Sequence, residues 1–187
     1  MADSPTYRVP FRRRREKKTD YAKRLALVKS GKVRLVVRKS NSSIYAQAVE
    51  FFPEGDRTIA AASGKDLAKI GWKGSTGNIP AAYLVGCLLA KRTPKGTEAV
   101  FDIGMQRPVK GGRIFAVLKG VVDGGLAVPF DASAFPSEER LQGLHVKGTP
   151  ELAASFKATK EKISATTATT SAGPKTEKKS GKKGGIE

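Results

Sequence analysis

The residues able to do covalent or metal chemistry are few in this chain and widely spaced. Asp102, Asp123, Asp131 and the Glu138-Glu139 pair are the carboxylates that could face a divalent cation, but Asp123 and Glu138 read as helix-terminal or capping residues. His145 is the single histidine, and no partner is evident from which a nucleophile-base pair or a histidine metal site could be built. Cys87, the single cysteine, lies in an apolar run and reads as a small core residue; alone, it excludes an internal disulfide and a multi-cysteine zinc site. The expectation is a protein that is not an enzyme, with no cofactor, no metal and no catalytic residue.

Neutralising phosphate is a chemistry for which the chain has ample material. In RVPFRRRREKKTDYAKR, residues 8–24, Arg12 to Arg15 are consecutive, and the only local acids are Glu16 and Asp20. Four adjacent guanidiniums with so little counter-charge must face water or phosphate. Tyr7, Phe11 and Tyr21 are interleaved with them, and aromatic planes stack on unpaired bases while neighbouring cations hold the backbone. A membrane-surface helix would need a continuous apolar face, which residues 8–24 lack, so the pattern favours RNA over a membrane. A solvated leader is the plainer alternative.

Three more segments gather cations, glycines and small polar residues at the ends of predicted elements. These are RKSNSS (38–43), GWKGSTGN (71–78) and MQRPVKGGR (105–113). Glycines let a backbone approach phosphates closely, and a helix N-terminus adds free N–H groups. Taken singly, each is more often an ordinary loop than a phosphate site. The 71–78 segment departs from the GxxxxGK[ST] pattern, so a bound triphosphate is not expected.

The charge of the whole chain agrees: net +18 with a pI near 10.2, a balance that calls for an anionic partner. Residues 1–24 carry nine Lys/Arg against three Asp/Glu, residues 157–187 carry eight against three, and the middle carries eighteen against eleven. Hydrophobic residues, at 39%, suffice for one core. No apolar run reaches the roughly 18 residues of a membrane span, and no secretory leader is recognisable, so a cytosolic protein without membrane contact is expected.

The elements that must position these loops follow from periodicity. VRLVVRK (33–39) and SIYAQAVEF (43–51) form a hairpin across SNS, and RTIAAAS (57–63) extends it to a meander after the turn PEGD. Ser63 can cap a short helix through KDLAKI, and Asn78 or Thr76 a longer one over about 79–91, with Pro80 in its first turn. That second helix is apolar on nearly every face and belongs against the sheet. EAVFDIG (98–104) reads as an interior strand, RIFAVLKGVVDGG as an amphipathic helix with Ile114, Val117, Leu118, Val121 and Val122 on one face, LAVPF (126–130) as a last strand, and PSEERLQG as a short capped helix. The fold class is α/β, a mixed sheet with helices packed on it and basic extensions at both ends.

The chain divides into a basic extension over 1–24, an α/β domain over 25–148 and a basic low-complexity tail over 149–187, with a helical start near 151–163. After Ile163 the tail has almost no large apolar residue with which to offset its ordering entropy. Its role is either solubilising or weakly phosphate-binding, and deletion of 157–187 is expected to leave a soluble, binding domain.

The segments RRRREKKTDYAKRLALVKSGKVRLVVRKSN, GWKGSTGNIPAAYLVGCLLAKR, FDIGMQRPVKGGRIFAVLKGVVDGGLAVP and FPSEERLQGLHV together resemble the large-subunit ribosomal proteins that bind 5S rRNA in the central protuberance, universal family number eighteen, in its archaeal form. The resemblance runs collinearly over about residues 7–146. It implies a ribonuclease-H-like α/β motif used as a scaffold without a metal site. Its partners would be 5S rRNA, the large-subunit rRNA and neighbouring proteins of the central protuberance, including the other 5S-binding protein.

Carried over by motif, the resemblance places Arg8, Arg12, Arg13, Arg14, Arg15, Lys17, Lys18, Tyr21 and Arg24 along RNA backbone. It places Arg38, Lys39, Ser40 and Asn41 on RNA from the hairpin turn, and Trp72, Lys73, Gly74, Thr76 and Asn78 from the loop before the buried helix. Arg107, Lys110 and Arg113 match the third segment. The competing readings are a generic basic RNA chaperone and a metal-dependent nuclease on the same fold, which would need two or three converging carboxylates.

Overall fold

The computed structural model describes residues 5–146 and 151–165. The meander forms as expected: β1 (Val33–Lys39), β2 (Ile44–Glu50) and β3 (Arg57–Ser63) pair antiparallel in sequence order. Alternation sets the register. Leu35 and Val37 lie opposite Ala48 and Ala46, which lie opposite Ala60 and Ala62, and all six are buried. Arg34, Val36, Arg38, Tyr45 and Gln47 fall on the reverse face.

β4 (Ala99–Asp102) runs parallel to β1 and completes the order β3-β2-β1-β4. It is thus an edge strand and not the interior strand its apolar run predicts. Beyond it lies a single parallel bridge from Glu98 to Ala127. The strand expected over 126–130 reduces to that bridge, because Pro129 has no N–H to continue a ladder. Leu126 and Val128 are nevertheless buried.

One face of the sheet carries the helices. α3 (Gly64–Ile70) opens with a reciprocal cap in which the Ser63 hydroxyl accepts from the Asp66 N–H and the Asp66 carboxylate accepts from the Ser63 N–H. α4 (Ile79–Arg92) is capped by Asn78, whose side-chain oxygen accepts from the Ala81 N–H at 2.8 Å, with Pro80 in its first turn. α5 (Arg113–Asp123) buries Ile114, Val117, Leu118 and Val121, the face its periodicity predicts, and leaves Val122 half-buried.

α4 and α5 cross at backbone distance. A Cβ on Gly86 would run into the Val117 carbonyl oxygen, and one on Gly120 into that of Tyr83. Glycine at both positions is what lets the helices approach this closely. α6 (Glu138–Gln142) follows a short 3-10 turn.

The body continues past residue 148. α7 (Glu151–Ala165) packs on α4, burying Leu152, Phe156, Thr159 and Ile163, and the Phe156 ring lies 5.7 Å from that of Tyr83. α4 is therefore enclosed by the sheet, α5 and α7, which accounts for apolar residues all around it. Thr159 and Ile163 are each only 2% exposed, so deletion from 157 would open the core. The expectation that 157–187 is dispensable is corrected on this ground. The remainder of the tail, 166–187, lies outside the described residues.

On the reverse face of the sheet sits the N-terminal segment. It forms α1 (Arg12–Arg15) and α2 (Tyr21–Lys29), the latter capped by Asp20, whose carboxylate accepts from the Ala22 and Lys23 N–H groups. Neither helix has a fully buried residue.

Candidate nucleic-acid interface

The three loops that read separately in the sequence form one surface at the end of the sheet where β1 turns into β2. Gln106 fastens the third loop to the hairpin: its amide donates to the Lys39 carbonyl at 2.9 Å, and its oxygen accepts from the Lys39 N–H at 3.2 Å. Arg113 fastens all three, donating to the Ser40 carbonyl at 3.2 Å and the Gly77 carbonyl at 2.9 Å. The Thr76 hydroxyl donates to the Ser42 carbonyl at 2.6 Å. Each loop is short and polar, and the bonds between them give the patch a fixed shape that none has alone.

These bonds divide the expected contact residues into two groups. Lys73, Asn41, Arg107 and Lys110 are exposed on the patch, with Lys39 half-buried beside them. Ser40 is also exposed, but its hydroxyl is used within the turn, donating to the Ser43 carbonyl and accepting from the Ser43 N–H, both at 3.0 Å. Thr76, Asn78 and Arg113 spend their side chains on holding loops and capping α4.

Trp72 is 4% exposed and part of the core, with its indole N–H donating to the Ser75 carbonyl at 3.1 Å. Its ring is thus enclosed by the protein and is not presented for stacking on a base. Gly74 lies tight against Trp72 and Leu152, where a Cβ would collide. These two residues build the loop from below, and Lys73 between them is its outward-facing member.

The leader presents a second basic surface. Arg8, Arg12, Arg13, Arg14, Arg15, Lys17 and Lys18 are all exposed, and no residue of α1 is buried. Phe11 and Tyr21 lie with ring centroids 5.3 Å apart, and Phe11 is 72% exposed. Glu16 pairs with Arg12 and Lys18, each at 2.8 Å, and these two cations hold its carboxyl below the usual carboxylate range. Such exposed pairs are worth little against water and exchange readily for a phosphate.

Arg24 and Arg38, expected as RNA contacts, belong to a ladder that crosses the reverse face of the sheet. Arg24 meets Asp56 at 2.7 Å, Asp56 meets Arg34 at 2.6 Å, Arg34 meets Asp102 at 3.6 Å, and Asp102 meets Arg38 at 3.1 Å. Arg38 also donates to the Asp102 and Val37 carbonyls. Arg34 is 4% exposed, while the side chains of Arg24 and Arg38 remain 42% and 41% exposed. Alternation along VRLVVRK puts Arg34 and Arg38 on one face, a signal present in the sequence. Asp56, in a turn, and Gln106 carry no such signal.

Three of the five carboxylates that could have served a metal are engaged elsewhere. Asp102 holds two arginines, Asp123 accepts from the Tyr83 hydroxyl at 2.9 Å, and Asp131 caps the 3-10 turn through the Ser133 N–H at 2.9 Å. Among the described residues no three His, Cys, Asp or Glu side chains gather as metal ligands would. None of the helices described is long and apolar enough to cross a membrane.

Fold and surface define a basic α/β scaffold whose cations are gathered on loops and on an N-terminal extension. A family model described as "Ribosomal large subunit proteins 60S L5, and 50S L18" matches residues 5–99 and 92–131. The chain belongs to this family of large-subunit ribosomal proteins. It is 56% identical over 149 residues to large ribosomal subunit protein uL18 of Caldivirga maquilingensis, covering 78% of this chain and 72% of that one. It is 49% identical over 148 residues to uL18 of Natronomonas pharaonis, covering 78% of this chain and 80% of that one.

Proposed function

We propose that this protein binds 5S rRNA and helps attach it to the large-subunit rRNA in the central protuberance, as a cytoplasmic structural constituent without catalytic activity. The observation that carries this reading is the union of three separate basic loops into one braced surface, in a chain that belongs to a large-subunit ribosomal family. The exposed cations Lys73, Arg107 and Lys110, with Lys39, Ser40 and Asn41, would meet phosphates and sugar hydroxyls. The leader, through Arg8, Arg12 to Arg15, Lys17 and Lys18, would lie along backbone. A duplex RNA hides its major groove, so recognition would be chiefly by phosphate position and 2'-hydroxyl, with sequence read at unpaired bases. The outer helices and the rest of the surface are left for neighbouring proteins of the protuberance, including the other 5S-binding protein.

The test is binding of purified protein to 5S rRNA and to a length-matched structured RNA across a salt series. A preference for 5S rRNA that survives at higher salt is expected. Equal affinities that vanish together would leave a non-selective RNA chaperone, and RNA cleavage dependent on magnesium would revive the nuclease reading.

A further inference from the structure

Between the leader and the reverse face of the sheet lies a cleft of about 620 Å³. Arg13, Lys18 and Lys23 form its leader wall, and Arg34, Arg38 and Gln47 line its floor. With Arg24, six cations stand around it against three carboxylates, Asp20, Asp56 and Asp102. All three carboxylates are already engaged, Asp20 as the cap of α2 and the other two in the arginine ladder. Arg34 is more than nine-tenths buried, yet its Nε has no hydrogen-bond partner among the described atoms. That N–H is shielded from the cleft, so an anion there would act on the charge of Arg34 and not on this atom.

We propose that this cleft receives one unpaired RNA strand, and that Asp56 and Asp102 position its arginine floor. The proposal rests on the 5S rRNA reading and deepens it, giving the inner side of the leader and the reverse face of the sheet one shared ligand form. The volume falls within the usual range for small-ligand pockets, about 300–1,000 Å³, which admits a nucleotide or two and no duplex. An extruded nucleotide brings both a phosphate for the Arg and Lys side chains and a base with hydrogen-bonding edges for Gln47. Asp56 and Asp102 touch no RNA in this arrangement. They hold Arg24 and Arg38 half-exposed at either end of the buried Arg34, so that the guanidiniums are oriented before the strand arrives.

This assignment reverses the sign expected from charge alone. Removing an acidic group from a basic protein should tighten its grip on RNA, whereas removing a positioning carboxylate should loosen it. The experiment has two arms. In the first, Gln47→Cys is alkylated with a photoactivatable azidophenacyl group and crosslinked to 5S rRNA. Cys87 is spared, being buried with its thiol pushed up to about 11. Crosslinks confined to unpaired nucleotides are expected.

In the second, Asp56→Asn is compared with the unaltered protein, expecting about three- to tenfold weaker binding to 5S rRNA and no loss on an unrelated duplex RNA. The proposal is overturned by crosslinks only to paired nucleotides or none at all, or by Asp56→Asn tightening both RNAs alike. Thermal melting of each variant accompanies the binding, and if Asp56→Asn does not fold, the crosslinking arm decides. Failure of the unaltered protein to prefer 5S rRNA would overturn the ribosomal reading instead, so the two failures are distinguishable.

Discussion

At the scale of single residues, charge and burial separate cleanly. Arg12 to Arg15 contribute nothing to the core, so replacing all four with alanine should leave the melting temperature nearly unchanged while weakening RNA binding. The salt dependence should flatten by a log-log slope of up to about 0.7–0.9 for each phosphate that is no longer neutralised, measured by titration at several ionic strengths. A large drop in melting temperature would show instead that the run belongs to the fold.

Tyr83 and Cys87 behave in the opposite way. Burial is the main cause that raises both above their ordinary values of 10.0 and 9.0, with Asp123 adding to it, and Cys87 is pushed up to about 11. Both groups therefore hold protons in the folded chain at pH values where the unfolded chain has released them. Stability from this pair is full below about pH 9 and declines as pH rises through 9 to 11 and beyond. Chemical denaturation at about pH 7.5 and about pH 10.5 should show the loss, and Cys87→Ala should reduce it; a flat profile would contradict the burial.

At the scale of elements, the helix pair α4–α5 is the tightest joint. Gly86→Ala or Gly120→Ala places a methyl group against backbone carbonyls that cannot rotate away, and each should destabilise the fold by about 1–3 kcal/mol or more in a urea melt. The cap of α3 is less critical. Ser63→Ala removes the hydroxyl that accepts from the Asp66 N–H and should cost about 1 kcal/mol in the same melt. Arg113→Gln belongs to this scale too. It unties the Ser40 and Gly77 carbonyls, so its effect on RNA affinity should exceed that of Arg107→Gln, whose side chain is exposed.

For the whole molecule, the decisive feature is where the packed body ends. A chain ended after Ala165 keeps all of α7 and with it Thr159 and Ile163, so it is the reference against which a shorter chain is compared. A chain ended after Phe156 loses Thr159 and Ile163 and exposes one side of α4, so it should melt several degrees lower or aggregate. Equal melting temperatures for the two truncations, compared by circular dichroism, would mean that α7 adds no stability beyond its first two turns.

Much of this was determined by sequence alone, because local periodicity and capping chemistry act over a few residues. The bounds of β1 and β3, the Ser63 cap, Pro80 at the start of α4 and the buried stripe of α5 all follow from patterns shorter than two or three helical turns. The basic character of the leader and of the three loops was equally legible, since charge needs no fold to be counted. What only the tertiary structure decided is which of those residues face outward. Trp72 turned inward because its ring completes the core against Gly74, and Arg34 is held beneath the sheet by Asp56 and Asp102, residues 22 and 68 positions away in a chain whose register brings them together. The edge position of β4 and the docking of α7 likewise depended on long-range packing. Burial is a property of distant neighbours, and no window of sequence contains them.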